Sequence, residues 1–166
     1  AFARGQIEEA EKICRQVLKE HPDDIDGLRL LASIANKMEQ RDDAIVLLER
    51  AVELKPKFAG AWGDLAETYT ESEVFGKALD AVQRVIKLQP NLPFGHMIRG
   101  SILGKMDDHE GSIQSYNNAL EIEPQHIGSN MGLGNILKTV GKYDEAVTAY
   151  KKCIEAQPKF SEAYWS

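Results

Sequence analysis

Apolar residues recur along the chain in two stripes that repeat every 34 residues. In the interval 59–92 the first stripe consists of Trp62, Leu65, Ala66 and Tyr69. The second stripe consists of Phe75, Ala78, Val82 and Val85. The spacing of each stripe places its members on one face of a helix with about 3.6 residues per turn. Each interval therefore predicts two amphipathic helices, and no segment shows the alternation typical of a β-strand.

Proline sets the phase of these intervals. Five of the six prolines stand 34 residues apart, at Pro22, Pro56, Pro90, Pro124 and Pro158. Proline cannot extend a helix and restricts the residue before it, so each of the five ends a second helix. The complete units are then 25–58, 59–92, 93–126 and 127–160, while residues 1–24 end an earlier unit and 161–166 begin a later one. Positions within a unit are numbered from 1 to 34.

Small residues at two positions of each unit let its helices approach closely. Position 8 holds Ala32, Ala66, Gly100 and Gly134, and position 20 holds Ala44, Ala78, Ser112 and Ala146. One helix pair is too small to bury its own apolar face, so successive pairs must stack. The chain is thus predicted to be all-α and to form a single array over residues 1–166.

This pattern resembles the tetratricopeptide repeat, which has the same period and the same small and aromatic residues at these positions. The resemblance covers essentially the whole chain and implies a right-handed α-α superhelix of antiparallel helix pairs. In that architecture the first helix of every pair lines a concave face, and the second helix forms the outer face. Since neither end carries a recognisable polar cap, we expect the chain to be a fragment of a longer protein.

Composition narrows the classes of partner. The formal net charge of −6 argues against a phosphate-backbone grip on nucleic acid, which needs clustered Lys and Arg. The apolar stretches are far shorter than the roughly 20 residues of a membrane span. We therefore expect no nucleic-acid partner, no membrane insertion and a cytoplasmic location. Two cysteines, Cys14 and Cys153, make neither a disulfide framework nor a zinc site, and both fall at core positions.

No catalytic motif is recognisable, so the sequence predicts a protein that is not an enzyme and holds no cofactor. The stretch MGLGNILKTVGK follows no strand, and its Gly134 is the packing residue of position 8. The four histidines share no metal-ligand spacing, so no metal site is expected. The carboxylates lie mostly on faces that read as solvated helix surface.

The resemblance to the tetratricopeptide repeat implies that positions 2, 5, 9, 12 and 13 of the first helices face the groove, with position 6 contributing in some arrays. The predicted partner-binding residues of the first two complete units are Arg29, Ser33, Asn36, Asp64, Glu67 and Glu71. Those of the last two units are Phe94, Met97, Ser101, Met131, Asn135 and Lys138. Asp64, Glu67 and Glu71 share one stripe, which either attracts a basic segment or is simply a solvated acidic face. Phe94, Met97 and Met131 form either an apolar pocket for a partner or packing between units.

Two departures from the usual repeat pattern stand in the later units. His96 and Arg99 replace apolar residues at positions 4 and 7, either as a polar pocket for a carboxylate or phosphate or with both tips tilted to solvent. Glycines at Gly104, Gly128 and Gly132 lower helix stability. They either let a partner backbone approach the groove closely or mark a loosely constrained segment.

Two narrower comparisons refine the expectation. Some tetratricopeptide modules clamp a C-terminal carboxylate with Lys, Asn and Arg, but the corresponding positions here include Ser33, Asp64 and Phe94, so that specialisation is not expected. The segment HIGSNMGLGNILKTVGKYDEAVTAYKKCIEAQPKFSEAYWS is similar to the final repeats of bacterial proteins that join such an array to a sulfotransferase domain. The catalytic elements of that domain do not occur in these residues.

The predicted function is that of a protein-interaction scaffold, which binds a peptide or a neighbouring domain in its concave groove. The alternative is a non-catalytic arm of a sulfotransferase that positions substrate or mediates dimerisation. Exposed apolar residues at uncapped ends further predict self-association. Those residues are Ile7, Ile13 and Cys14 at one end and Tyr164 and Trp165 at the other.

Overall fold

A computed structural model of the chain describes residues 2–156, and across that range it consists of helices joined by short turns without any β-strand. The helices are α1 (Phe2–Glu20), α2 (Ile25–Lys37), α3 (Arg41–Leu54), α4 (Ala59–Glu71), α5 (Phe75–Leu88), α6 (Pro93–Lys105), α7 (His109–Ile122), α8 (Ile127–Thr139) and α9 (Tyr143–Glu155). The all-α fold predicted from the 34-residue period is thereby confirmed.

The chain divides into two compact units, Ala1–Arg84 and Val85–Ser166, with the division inside α5. In the first unit α1 packs on α2, α2 on α3 and α3 on α4, and the two first helices α2 and α4 also touch. In the second unit α6 packs on α7, α7 on α8 and α8 on α9, and the first helices α6 and α8 also touch. The single array over the whole chain stays a prediction.

Small residues lie where the two helices of each 34-residue repeat come closest. Ala32, Ala44 and Ala66 have no solvent-accessible surface, and neither does Ser112. Ser112 stands at position 20, where the other three repeats carry alanine. Its hydroxyl donates a 2.7 Å hydrogen bond to the Gly100 carbonyl. That bond satisfies the hydroxyl and lets serine replace alanine in a fully buried site.

Side-chain caps help to define where several helices begin. The Asp24 carboxylate accepts a 2.8 Å hydrogen bond from the Gly27 N–H at the start of α2. Asp108 accepts from the Gly111 N–H at the start of α7, and His126 Nδ1 accepts from the Ser129 N–H at the start of α8. α6 begins instead with Pro93, whose missing N–H removes a donor that the first turn cannot satisfy.

In each complete repeat, the turn between the two helices contains one residue with a left-handed backbone conformation, and it always stands at the same position. Position 15 has φ of 62° at Glu39, 60° at Glu73, 61° at Asp107 and 79° at Gly141. A residue with a Cβ is disfavoured in this region by contact with its own backbone. Only the last repeat has the residue that this backbone favours.

The first helix corrects one expectation. Cys14 is 5% exposed and forms a core cluster with Leu31 and Ile34 of α2, and Ile7 is partly buried against the same cluster. The prediction that Ile7 and Cys14 are exposed is therefore wrong, because α2 covers that face of α1. Ile13 is 56% exposed, as expected. Tyr164 and Trp165 lie outside the described residues.

Candidate functional site

The first helices of the first unit line an open cavity of about 370 Å³, with Leu48 of α3 also in its wall. It is lined by Asp26, Arg29, Leu30, Ser33, Asn36, Leu48, Asp64, Glu67, Thr68 and Glu71. All six groove residues predicted for these two repeats are among them. They come from α2 and α4, which the 34-residue period places side by side.

Arg29 is held in the cavity wall by three neighbours. Its Nε lies 2.5 Å from Asp64 Oδ2, and its Nη1 lies 3.8 Å from Asp26 Oδ1. Its guanidinium also stacks over the Phe58 ring at 4.9 Å from the centroid. A Cβ at residue 60 would come within 3.2 Å of the guanidinium, so glycine there leaves room for the stack. The charge of Arg29 is thus largely engaged within the protein.

A short chain of hydrogen bonds links α2 to α4 below Arg29. The Thr68 hydroxyl donates to the Asp64 carbonyl at 2.9 Å, so its oxygen is left to accept from Asn36 Nδ2 at 2.8 Å. This order fixes the orientation of the Asn36 amide. Its Oδ1 is buried and accepts no hydrogen bond from any residue that the structure describes. A buried acceptor without a donor is unfavourable.

The acidic stripe predicted on α4 is one surface, but its three carboxylates differ in their surroundings. Asp64 is paired with Arg29, and Glu71 Oε2 lies 3.9 Å from Arg41 Nε. Glu67 keeps solvent contact and has no ion-pair partner among the described side chains. Partial burial among the surrounding helices raises the pKa of Glu67, and the charges of Asp64 and Glu71 raise it further.

A second polar cluster stabilises α4 from the side of α3. The Tyr69 hydroxyl donates a short hydrogen bond to Glu49, and Lys77 Nζ lies 3.3 Å from the same carboxylate oxygen. The hydrogen bond from Tyr69 lowers the pKa of Glu49, while burial and the bond to Glu49 raise the pKa of Tyr69. Nothing in the sequence pattern indicates this pair, because Glu49 and Tyr69 belong to different repeats.

The groove residues of the second unit are not gathered into a comparable charged site. Phe94 and Met97 are half-buried, Met131 is 44% exposed, and Lys138 is exposed. The Met97 sulfur lies over the first turn of α8, where a Cβ at residue 128 would be 2.7 Å away. Met97 is therefore used at least partly in packing α6 against α8.

Two tyrosines of the second helices use the other predicted polar residues. The Tyr150 hydroxyl donates a 2.8 Å hydrogen bond to Asn135 Oδ1, and Ser101 lies near the Tyr116 hydroxyl. Tyr116 packs on Gly100 and Gly132, and Tyr150 packs on Gly134. Asn135 thus has a hydrogen-bond partner within the protein, and Ser101 has a tyrosine hydroxyl as its neighbour. Their assignment to a partner-binding surface remains a prediction.

These contacts correct the interpretation of the groove glycines. A Cβ at residue 132 would overlap the Tyr116 ring, and one at residue 104 would lie 2.9 Å from Ile136 Cδ1. The space next to Gly104, Gly128 and Gly132 is filled by side chains of the same unit. The idea that these glycines admit a partner backbone is therefore wrong.

His96 and Arg99 do not behave alike. Arg99 is exposed, as the tilt of both tips to solvent predicted. The Nδ1 atom of His96 is buried and has no hydrogen-bond partner in the described part of the chain. Burial lowers the pKa of His96, and the nearby charge of Arg99 lowers it further, so the ring is neutral at physiological pH.

Between residues 2 and 156 no group of three or more His, Cys, Asp or Glu side chains is arranged to hold a metal ion. None of the helices described for that range is long and apolar enough to cross a membrane. Cys14 and Cys153 are both buried, at 5% and 7% exposure, and burial raises the pKa of each thiol.

Paired helices with a concave site built from their first members define an α-helical repeat protein. Models of the tetratricopeptide repeat match residues 1–24, 35–99, 96–126 and 127–160. The chain belongs to the tetratricopeptide repeat family.

Individual relatives agree with this assignment. The chain is 29% identical over 124 residues to the mouse protein O-mannosyl-transferase TMTC1, covering 72% of this chain and 13% of the relative. It is 29% identical over 123 residues to anaphase-promoting complex subunit 7 of Dictyostelium discoideum, covering 74% and 21%. The chain spans about one fifth or less of the length of these relatives, so their whole activities are not transferred. Neither is a sulfotransferase, and the sulfotransferase resemblance gains no support from them.

A solved structure shows the same fold. The thermophilic TPR protein TTC0263 of Thermus thermophilus superposes with a TM-score of 0.82 at 23% identity, covering 95% of this chain and 87% of that one.

Proposed function

We propose that this protein is an interaction scaffold whose concave face, formed by α2 and α4, binds a peptide or an extended segment of a neighbouring domain. The observation that carries the proposal is the cavity itself. Six predicted groove residues, three from each of two consecutive repeats, line a single concavity of about 370 Å³. Clefts of this volume that combine apolar and polar groups are the usual form of a binding site.

The chemistry of the cavity supports recognition over catalysis. Its lining residues include neither a histidine nor a cysteine that could act beside the hydroxyl groups of Ser33 and Thr68. Two of its charged residues, Arg29 and Asp64, pair with each other. A relative named as a subunit of the anaphase-promoting complex also supports a role in assembly. Extended peptides suit such a surface because first helices present side chains at regular intervals.

A random peptide library displayed on phage tests this proposal. Peptides are selected on the full chain and then measured by fluorescence anisotropy against two variants. Ser33→Trp places a large ring in the cavity mouth, and it should weaken binding at least 10-fold. Val46→Trp is the matched control on α3, at a residue that is 65% exposed and does not line the cavity. Selected peptides that bind the Ser33→Trp variant as tightly as the parent would contradict the proposal.

A second candidate function, self-association, rests on a separate observation. Tyr143, Val147 and Ile154 of α9 are 65%, 50% and 63% exposed and share one face of that helix. Exposed apolar surface of this kind favours protein contacts. Sedimentation velocity should show concentration-dependent association that Val147→Glu reduces. A monomer at all concentrations would contradict this second candidate.

The sulfotransferase arm and the cytoplasmic location remain predictions. The first is supported only by the local similarity of residues 126–166, and a sulfotransferase assay of the protein purified from its source would decide it. The second is decided by fractionation of cells that express the full-length protein.

A further inference from the structure

Helix α9 carries an apolar stripe that faces away from its own repeat. The stripe consists of Tyr143, Val147 and Ile154, which stand at positions 17, 21 and 28 of the repeat and are 65%, 50% and 63% exposed. With about 3.6 residues per turn, these side chains share a narrow sector of the helix surface. The stripe therefore runs along most of the length of α9.

The same face of earlier second helices packs against the first helix that follows. Leu18 stands at position 28 of α1, and a Cβ on Gly27 of α2 would lie 3.2 Å from it. Ile86 stands at position 28 of α5, and a Cβ on Gly95 of α6 would lie 2.7 Å from it. Val52, at position 28 of α3, is only 6% exposed. This face of a second helix is thus a helix-packing surface, which favours a helix as the occupant of the stripe on α9.

Charges along one edge of the stripe favour a particular helix. Asp144 and Lys151 are both exposed and stand seven residues apart, so they lie two turns apart on the same edge. The edge is negative near Tyr143 and positive near Ile154. A second copy of α9 in antiparallel orientation presents the opposite order of charges. In a parallel copy the opposite charges would stay about 10 Å apart along the helix axis.

We propose that α9 pairs in antiparallel orientation with α9 of a second copy of the chain, about a two-fold axis level with Thr148. The middle of the stripe lies at that level, so Tyr143 of each copy contacts Ile154 of the other. On the charged edge, Asp144 of each copy pairs with Lys151 of the other. Two-fold symmetry makes each of these contacts occur twice.

The inference rests on the self-association stated above as the second candidate function, and it specifies the geometry of that association. Each copy contributes one helix of 13 residues. Such a contact is smaller than the standard protein interface of about 1,600 Å², so the dimer should be weak and reversible. Its dissociation constant is measured by sedimentation velocity over a range of concentrations at low ionic strength, where exposed charges are least screened.

Reversal of one charge at a time tests the pairing. Asp144→Lys and Lys151→Asp should each raise the dissociation constant at least about 3-fold, because each variant places like charges opposite one another in its own dimer. An equimolar mixture of the two variants should associate about as tightly as the parent. In the mixed dimer, each positive pair of residues on one copy faces a negative pair on the other.

Asp42→Lys is the matched control. Asp42 occupies position 18 of α3, as Asp144 does in α9, and both stand in the first turn of their helices. The control has the same net charge as Asp144→Lys but lies away from the stripe. It should dimerise like the parent, and mixing it with Lys151→Asp should not restore parental affinity. Recovery that is equal with either partner would show an effect of net charge alone and would overturn the antiparallel pairing.

Failure of this inference is distinguishable from failure of self-association. If Val147→Glu reduces association but the two charge reversals leave it unchanged, self-association through α9 stands and the antiparallel pairing is wrong. A monomer at all concentrations, as expected if another segment of the same chain covered the stripe, would overturn both. Neither result bears on the concave site, which Ser33→Trp tests separately.

Discussion

The two units build the same helix pair from different residues. In the first unit, position 8 is Ala32 or Ala66, and position 24 is Leu48 or Val82. In the second unit, position 8 is Gly100 or Gly134, and position 24 is Tyr116 or Tyr150. Removing a methyl group at position 8 makes room for an aromatic ring at position 24, so the pair keeps a filled core in both cases.

The exchange has a consequence for the concave face. In the second unit the tyrosine hydroxyls reach position 9, where Tyr150 donates to Asn135 and Tyr116 lies near Ser101. In the first unit position 9 is Ser33 and Glu67, and both stay available because Leu48 and Val82 have no polar group to offer them. The aliphatic residues at position 24 of the first unit thus leave Ser33 and Glu67, its two residues at position 9, without a hydrogen-bond partner on the second helices.

The largest effect is expected from restoring alanine at position 8 of the second unit. Gly100→Ala would place a Cβ 2.9–3.0 Å from three Tyr116 ring atoms, and that ring is buried and also packed on Gly132. Overpacking should lower the free energy of unfolding by about 1–3 kcal/mol, measured by urea titration. Gly100→Ala with Tyr116→Leu, which copies the first unit, should recover part of the loss.

Gly76→Ala is the control for that experiment. A Cβ at residue 76 meets nothing within 4 Å, so alanine should stabilise α5 by up to about 1 kcal/mol through helix propensity alone. Equal effects at residues 76 and 100 would disprove the coupling between positions 8 and 24.

The hydroxyl group of Tyr69, in the first unit, should contribute to the stability of the fold. Tyr69 stands at position 11, where the second unit has Leu103 and Leu137, and it donates to Glu49. Tyr69→Phe should lower the free energy of unfolding by about 1–2 kcal/mol, since the partly buried Glu49 carboxylate loses the closer of its two donors and keeps only Lys77. Tyr143→Phe, at a site 65% exposed, is the control and should change little. Equal losses would show that the Glu49 bond contributes nothing.

A smaller effect of opposite sign is expected at the turn of each repeat. Glu73→Gly should stabilise the first unit by about 0.5–1 kcal/mol, because glycine adopts the φ of 60° without a steric penalty. Gly141→Ala should destabilise the second unit by about 1 kcal/mol for the same reason. Thermal melts of both variants test this, and changes of the same sign would contradict it.

The smallest effect concerns the pH dependence of stability. The pKa of Glu67 is raised in the fold, so its ionised form is disfavoured at neutral pH and the penalty disappears below its unfolded pKa. Glu67→Gln should therefore raise the melting temperature at pH 7 and have no such effect near pH 4. The charges that face it are Asp64 and Glu71 on α4 and Arg29 and Asp26 on α2. Glu9→Gln, at an exposed residue of α1, is the control. If Glu9→Gln changed the pH dependence of the melting temperature in the same way as Glu67→Gln, the assignment to Glu67 would be contradicted.

The sequence predicted the fold and the gathering of the first-unit groove residues because both follow from the 34-residue period. It did not predict which polar groups are already used. The pairing of Arg29 with Asp64 and the bond from Tyr150 to Asn135 depend on side-chain reach between helices, which periodicity does not encode. The match of Gly100 with Tyr116 was visible as two residue series, but only their contact shows that they belong together.

Photo-crosslinking tests most directly whether a partner binds at the concave face of the first unit. p-Benzoyl-phenylalanine is placed at Leu30 or at Met131, two exposed residues on the first helices of the two units. A library-selected peptide should crosslink strongly at residue 30 and weakly at residue 131. Crosslinking at residue 131 alone, or at neither residue, would contradict the account.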